Sequence, residues 1–167
     1  MRIIRWIIVL ISLPGIFGCS YSLRMNQYPH LRNVFIMPIE NRTGELDIDE
    51  DLRNTLLTSF QQDGRLRIVY EDPDSIIECE ILDYESKIFG FDIEQNVEEY
   101  MVTIIFDLTF TDLLRNEVIW ENSSIRISER YYPRSPQDVQ ITTEQGAQEK
   151  IFENLFNLII RNTLESW

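Results

Sequence analysis

Histidine and cysteine are scarce in this chain: His30 is the single histidine, and Cys19 and Cys79 are the two cysteines. So small a supply excludes the paired Cys and His spacings of zinc sites. It also leaves no Ser or Cys nucleophile a base in a recognisable signature. Basic residues are short too, with 15 Lys and Arg against 28 Asp and Glu and a net charge of −13. Nucleic-acid binding depends on basic patches and is excluded, as is a broad footprint on anionic lipid. Any anion contact must come from a local basic cluster. The six glycines form no loop of the kind that cradles phosphate. The acidic stretch Asp92–Glu99 lacks calcium-loop spacing and reads as a solvated hairpin tip. No metal, cofactor or catalytic constellation is expected, and no internal repeat is present.

A long hydrophobic span is also missing. The apolar stretch within Ile3–Leu13 falls short of the roughly 20 residues a membrane helix needs. It carries Arg2 and Arg5 at its start and runs into Pro14-Gly15-Ile16-Phe17-Gly18-Cys19, the marks of a secretory signal peptide. The cysteine directly after a small residue resembles a bacterial lipobox. There the thiol takes a diacylglycerol before cleavage, and the new amino terminus is then acylated, as with palmitate. Ile16 and Gly18 fit that pattern, while Phe17 is bulkier than usual. Ser20 in place of Asp resembles the choice for the outer membrane. An ordinary signal peptide or an uncleaved anchor are the other readings. The expected organisation is a signal peptide over 1–18, a lipidated tether over 19–33 and a single α+β domain over 34–167. Without residues 1–18, 13 basic side chains face 28 acidic ones, a net charge of about −15. With Cys19 lipidated, Cys79 has no partner for a disulfide, and its apolar setting, Ile76–Leu82, suits a buried side chain.

Along the body, Val34–Ile39 reads as a strand with Pro38 at its exit, and Glu40–Gly44 as a loop. Asp49–Gln62 reads as a helix, since Leu52, Leu56 and Phe60 recur every four residues and Gly64 follows as a stop. Arg67–Tyr70 is a short strand, and Ile76–Ile88 a long one whose exposed face changes near Leu82. From Tyr100 to Thr111 apolar and polar residues alternate with period two, the clearest strand of all. Its partner is Glu117–Ser128, with a bulge near Asn122-Ser123-Ser124 where the parity of the apolar residues reverses. Arg130–Asp138, with Pro133 and Pro136, should be irregular. A last helix runs from about Thr143 to Glu165, with Thr142 and Gln145 at capping-box spacing. The sum is a two-layer sandwich: two helices on one face of a mostly antiparallel sheet of about four strands.

Two basic features stand out against the acidity. Arg126, Arg130 and Arg134 surround Tyr131 and Tyr132, and arginine forks suit phosphate; the plainer reading is arginines pairing with local acids. Arg65 and Arg67 follow the first helix, where they can complement its dipole or pair with surface acids.

Four stretches in order resemble the LptE family of lipopolysaccharide-assembly lipoproteins: Gly18–Leu23, Val34–Thr43, Asp63–Arg67 with Pro73–Ile81, and Asp112–Glu121 with Tyr131-Tyr132 and the closing helix. Cys79 stands where that family's pattern suggests glycine. The resemblance implies a non-enzymatic, lipid-anchored protein on the periplasmic face of the outer membrane. It would plug and support the LptD-type β-barrel that inserts lipopolysaccharide, and could contact lipopolysaccharide. The residues' own chemistry, apart from the resemblance, offers Arg126, Arg130 and Arg134 to its phosphates. The alternative is a generic periplasm-facing lipoprotein that binds a small apolar ligand or an envelope partner.

Overall fold

A computed structural model of the chain describes residues 28–134 and 141–165. The signal segment, Cys19 and most of the tether lie outside the described residues. Among the described residues, six strands and two helices follow in order: β1 (Asn33–Ile36), β2 (Glu40–Asn41), α1 (Ile48–Asp63), β3 (Arg67–Ile68), β4 (Ser75–Phe91), β5 (Val97–Asp112), β6 (Glu117–Tyr131) and α2 (Glu144–Thr163).

The sheet order is β3-β1-β4-β5-β6, with β2 also pairing with β4. The three long strands are antiparallel, whereas β1, β2 and β3 run parallel to their neighbours. The sheet is therefore mixed and six-stranded, not mostly antiparallel with about four strands. Pro38 accounts for part of the difference. It has no amide to give the ladder, so the strand read over 34–39 breaks there and resumes as β2, where a loop was expected. The amides of Met37 and Arg42 still bond to the carbonyls of Ile77 and Ile81 on β4.

Both helices pack on one face of this sheet, in one continuous core. Leu52, Leu56 and Phe60 of α1 meet Ala147, Ile151, Phe152 and Leu155 of α2 above Ile77, Ile81, Ile104, Phe106 and Phe110. Phe152 sets its ring edge-on to Phe106, with centroids 6.5 Å apart. Gly64 ends α1 in the left-handed region, φ 73°, and its amide bonds to Phe60 O at 3.0 Å. For α2 the cap is Thr143, whose hydroxyl accepts the Gly146 amide, so the capping-box reading at Thr142 and Gln145 was one residue early and had the wrong partner.

Bulges decide which side chains face the helices. Ile81 pairs with Phe106 but Asp83 with Ile105, leaving Leu82 as the extra residue where the exposed face was expected to change. On β6 the register slips between Asn122 and Ile125, as expected, and a second time at Ile119. The hairpin tip is tighter than read: β4 continues to Phe91, and the turn closes over Asp92–Asn96 with Asp92 Oδ1 accepting the amides of Glu94 and Asn96. β6 also runs on to Tyr131, so Arg130 sits in a strand and not in an irregular loop.

Candidate functional site

The face of the sheet opposite the helices carries no other element among the described residues. Register sets its rows across β4, β5 and β6. Lys87, Met101 and Arg130 form one row, Glu85, Thr103 and Ser128 the next, and Asp83, Ile105 and Arg126 the third. Thr103 is buried within its row and shares a 2.8 Å hydrogen bond with Ser128 Oγ. Further along, Glu40, Glu80 and Asp107 lie side by side on β2, β4 and β5, with Arg42 paired to Glu80. The result is a mixed, strongly charged and hydroxyl-bearing surface.

The three arginines singled out from the sequence are distributed along this surface and do not converge on a point. Arg126 and Arg130 share a face but stand four residues apart, about 13 Å at ~3.3 Å per residue. Arg130 lies 3.9 Å over the Phe89 ring and 3.4 Å from Glu99 Oε2. Arg134, exposed beyond the end of β6, acts on Asp92. The Asp92 carboxyl is held below its ordinary range first by the Asn96 amide and side chain, with the Glu94 amide and the charge of Arg134 adding to the effect. Tyr131, expected beside these arginines as part of a binding loop, is in the core. Its ring stacks on Tyr100 at 5.0 Å, and its hydroxyl lies 3.4 Å from Glu144, the carboxylate that also accepts Tyr84 at 2.8 Å.

Arg65 is committed to structure. Its Nε donates to Asp63 at 2.7 Å and its Nη1 to Glu165 at 3.1 Å, tying the end of α1 to the end of α2. The Asp63 bond is the largest reason its pKa is raised. Cys79 is buried on the helix side of β4, and burial pushes its thiol up to about 12.

Sequence reasoning missed His30. Its Nε2 lies 2.6 Å from Oδ2 of Asp112, the last residue of β5 and fully buried. The other oxygen of Asp112 accepts the amides of Leu114 and Arg115. Burial works against this carboxylate, but His30 and the two amides outweigh it and hold its pKa below 3.8, the ordinary value. A second carboxylate repeats the device nearby, since Asp74 Oδ2 accepts the amides of Arg32 and Asn33. Together they fasten the segment leading from Cys19 to the β5–β6 turn and to the start of β4. Nothing in the sequence could have paired His30 with Asp112, 82 residues away.

No helix among the described residues is long and apolar enough to cross a membrane. No curated protein matches the chain in sequence. Among solved structures, a hypothetical protein from Chlamydia trachomatis is similar with a TM-score of 0.57 at 9% identity, over 79% of this chain and 97% of that one. A protein from Xanthomonas campestris gives a TM-score of 0.52 at 10% identity, over 77% and 81%. These likenesses show a shared fold. The lipopolysaccharide-assembly family LptE matches residues 31–163, nearly the whole described body. The chain belongs to the LptE family.

Proposed function

We propose that this protein is a lipid-anchored, non-enzymatic component of the outer membrane. It assembles with and plugs the β-barrel that inserts lipopolysaccharide, an LptD-type partner, from the periplasmic side. The observation that carries this reading is the family match over residues 31–163. The sheet supports it. Its uncovered face is hydroxyl-bearing and charged, the surface chemistry that a water-filled barrel lumen accommodates. The helices and the sheet's other face form a closed apolar core that resists collapse when the protein is held in such a lumen. In this reading Cys19 carries the acyl chains, and more than one chain gives stable anchoring where a single one does not. Arg126, Arg130 and Arg134, strung along one edge, would meet lipopolysaccharide phosphates one at a time and not as a single pocket.

Affinity capture of the lipidated protein in mild detergent tests the reading. A large β-barrel should co-purify, and depletion should reduce surface lipopolysaccharide and leave the outer membrane leaky. Recovery of the acylated protein only as a free monomer, with lipopolysaccharide export normal, rejects it.

A further inference from the structure

The described chain begins at one end of the molecule, beside the β5–β6 turn. Leu31 is buried in the core, His30 bonds Asp112, and the Leu113 amide bonds Asp74 O at 2.9 Å. At this same end Leu113 and Leu114 stand 41% and 60% exposed, with Val118 behind them at 51%. We infer that the turn Leu113-Leu114-Arg115-Asn116 docks into the headgroup and upper acyl region of the bilayer that holds the lipidated Cys19. This rests on the lipoprotein reading above.

Reach supports the assignment. Nine residues precede Tyr28 from Cys19 onward, and an extended chain covers at most ~3.3–3.6 Å per residue, so the lipid stays within about 30 Å of this end. The other exposed apolar cluster, Phe89, Phe91 and Ile93, lies at the far tip of the β4–β5 hairpin. Sixteen residues of β5 separate the two ends, about 50 Å at ~3.3 Å per residue. The tether is too short to bring the lipid to that tip.

Backbone chemistry supports it as well. Entering an apolar layer is unfavourable for every amide left without an acceptor. In this turn the amide of Leu113 is satisfied by Asp74, and those of Leu114 and Arg115 by Asp112. The two leucines can therefore be buried without stranding those donors. Arg115 beside them is exposed and long enough to reach a lipid phosphate while its stem stays with the leucines. Arg32 and Arg67, both exposed, stand at the same end. Glu71, Asp72 and Glu117 are exposed at this end too, and the far tip sets Arg130 and Arg134 among its acids, so reach and not charge separates the two ends.

The test uses the full lipidated protein in vesicles of phosphatidylethanolamine and phosphatidylglycerol, without any barrel. A nitroxide is placed on Leu114→Cys or on Ile93→Cys; Cys79 is buried and the acylated Cys19 is blocked. Power-saturation with oxygen and with a water-soluble nickel relaxant reports depth, and circular dichroism confirms that each labelled protein is folded. The label at 114 should show an oxygen-to-nickel accessibility ratio severalfold above that at 93, and adding Leu113→Asp should remove the difference. Equal, water-like values at both positions with Cys19 shown by mass spectrometry to be acylated overturn the docking alone. An unmodified Cys19 overturns both the docking and the lipoprotein reading.

Discussion

Asp112 holds three groups at once: the ring of His30 and the amides of Leu114 and Arg115. Asp112→Ala removes the acceptor from two backbone donors and releases His30. The expected loss is about 2 kcal/mol in urea denaturation. The carboxyl is held below its ordinary 3.8 in the folded protein. Its contribution is therefore complete above that value and fades as the pH falls through the lower folded-state value. The gap between wild type and Asp112→Ala should narrow as the pH falls into strong acid. A gap that persists unchanged in acid would show that the charge is not what matters. Cys79 gives a second test at this scale. With its thiol pushed up to about 12 in the core, it should resist Ellman's reagent at neutral pH and react promptly in urea. This inertness was legible from its apolar surroundings in sequence, whereas the His30–Asp112 pair was not. Hydrophobic periodicity records local burial, and a polar contact between residues 30 and 112 leaves no periodic trace.

Elements were legible in proportion to their length and regularity. α1, β5 and the bulges at Leu82 and near Ser123 follow from runs of apolar residues whose parity could be counted. The two-residue strand β2 could not be counted in this way, because it owes its existence to an accommodating neighbour, not to a pattern of its own; β3, read over Arg67–Tyr70, is there but shorter, and no pattern told its direction. That is why the parallel part of the sheet was underestimated. The same logic sets the cost of altering each element. Phe152→Ala, in a fully buried site against Phe106, should cost about 3–5 kcal/mol because the surrounding core cannot collapse into the space. Gly64→Ala meets no atom within 4 Å and is opposed only by its positive φ, so about 1 kcal/mol is expected. Thermal melting of the two variants side by side should separate these magnitudes clearly; a Gly64→Ala penalty as large as that of Phe152→Ala would mean the helix stop is holding more than its own turn. The candidate arginines belong to this scale as well. Sequence put Arg126, Arg130 and Arg134 near one another along the chain, but a strand spreads every fourth residue over some 13 Å, and Phe89 and Glu99 arrive from the hairpin to occupy Arg130.

For the whole molecule, membership of the LptE family and an α+β fold with a closed core frame the proposal of a barrel plug. On the lipoprotein reading proposed above, Cys19→Ser should release the protein from the membrane fraction while leaving its melting temperature unchanged, because the acyl chains would set location and the core sets stability. Fractionation followed by melting of both forms checks this; a destabilised Cys19→Ser protein would mean that the anchor and the fold are coupled. Broken at Ile119 and again near Ser123, the outer strand of the sheet offers a passing chain an unbroken run of amides and carbonyls over Ile125–Tyr131 alone. At the opposite margin β3 is only two residues long. Such edges resist fibrous self-association, and deleting the bulge residues so that β6 becomes a regular strand should let the protein polymerise, as light scattering would report.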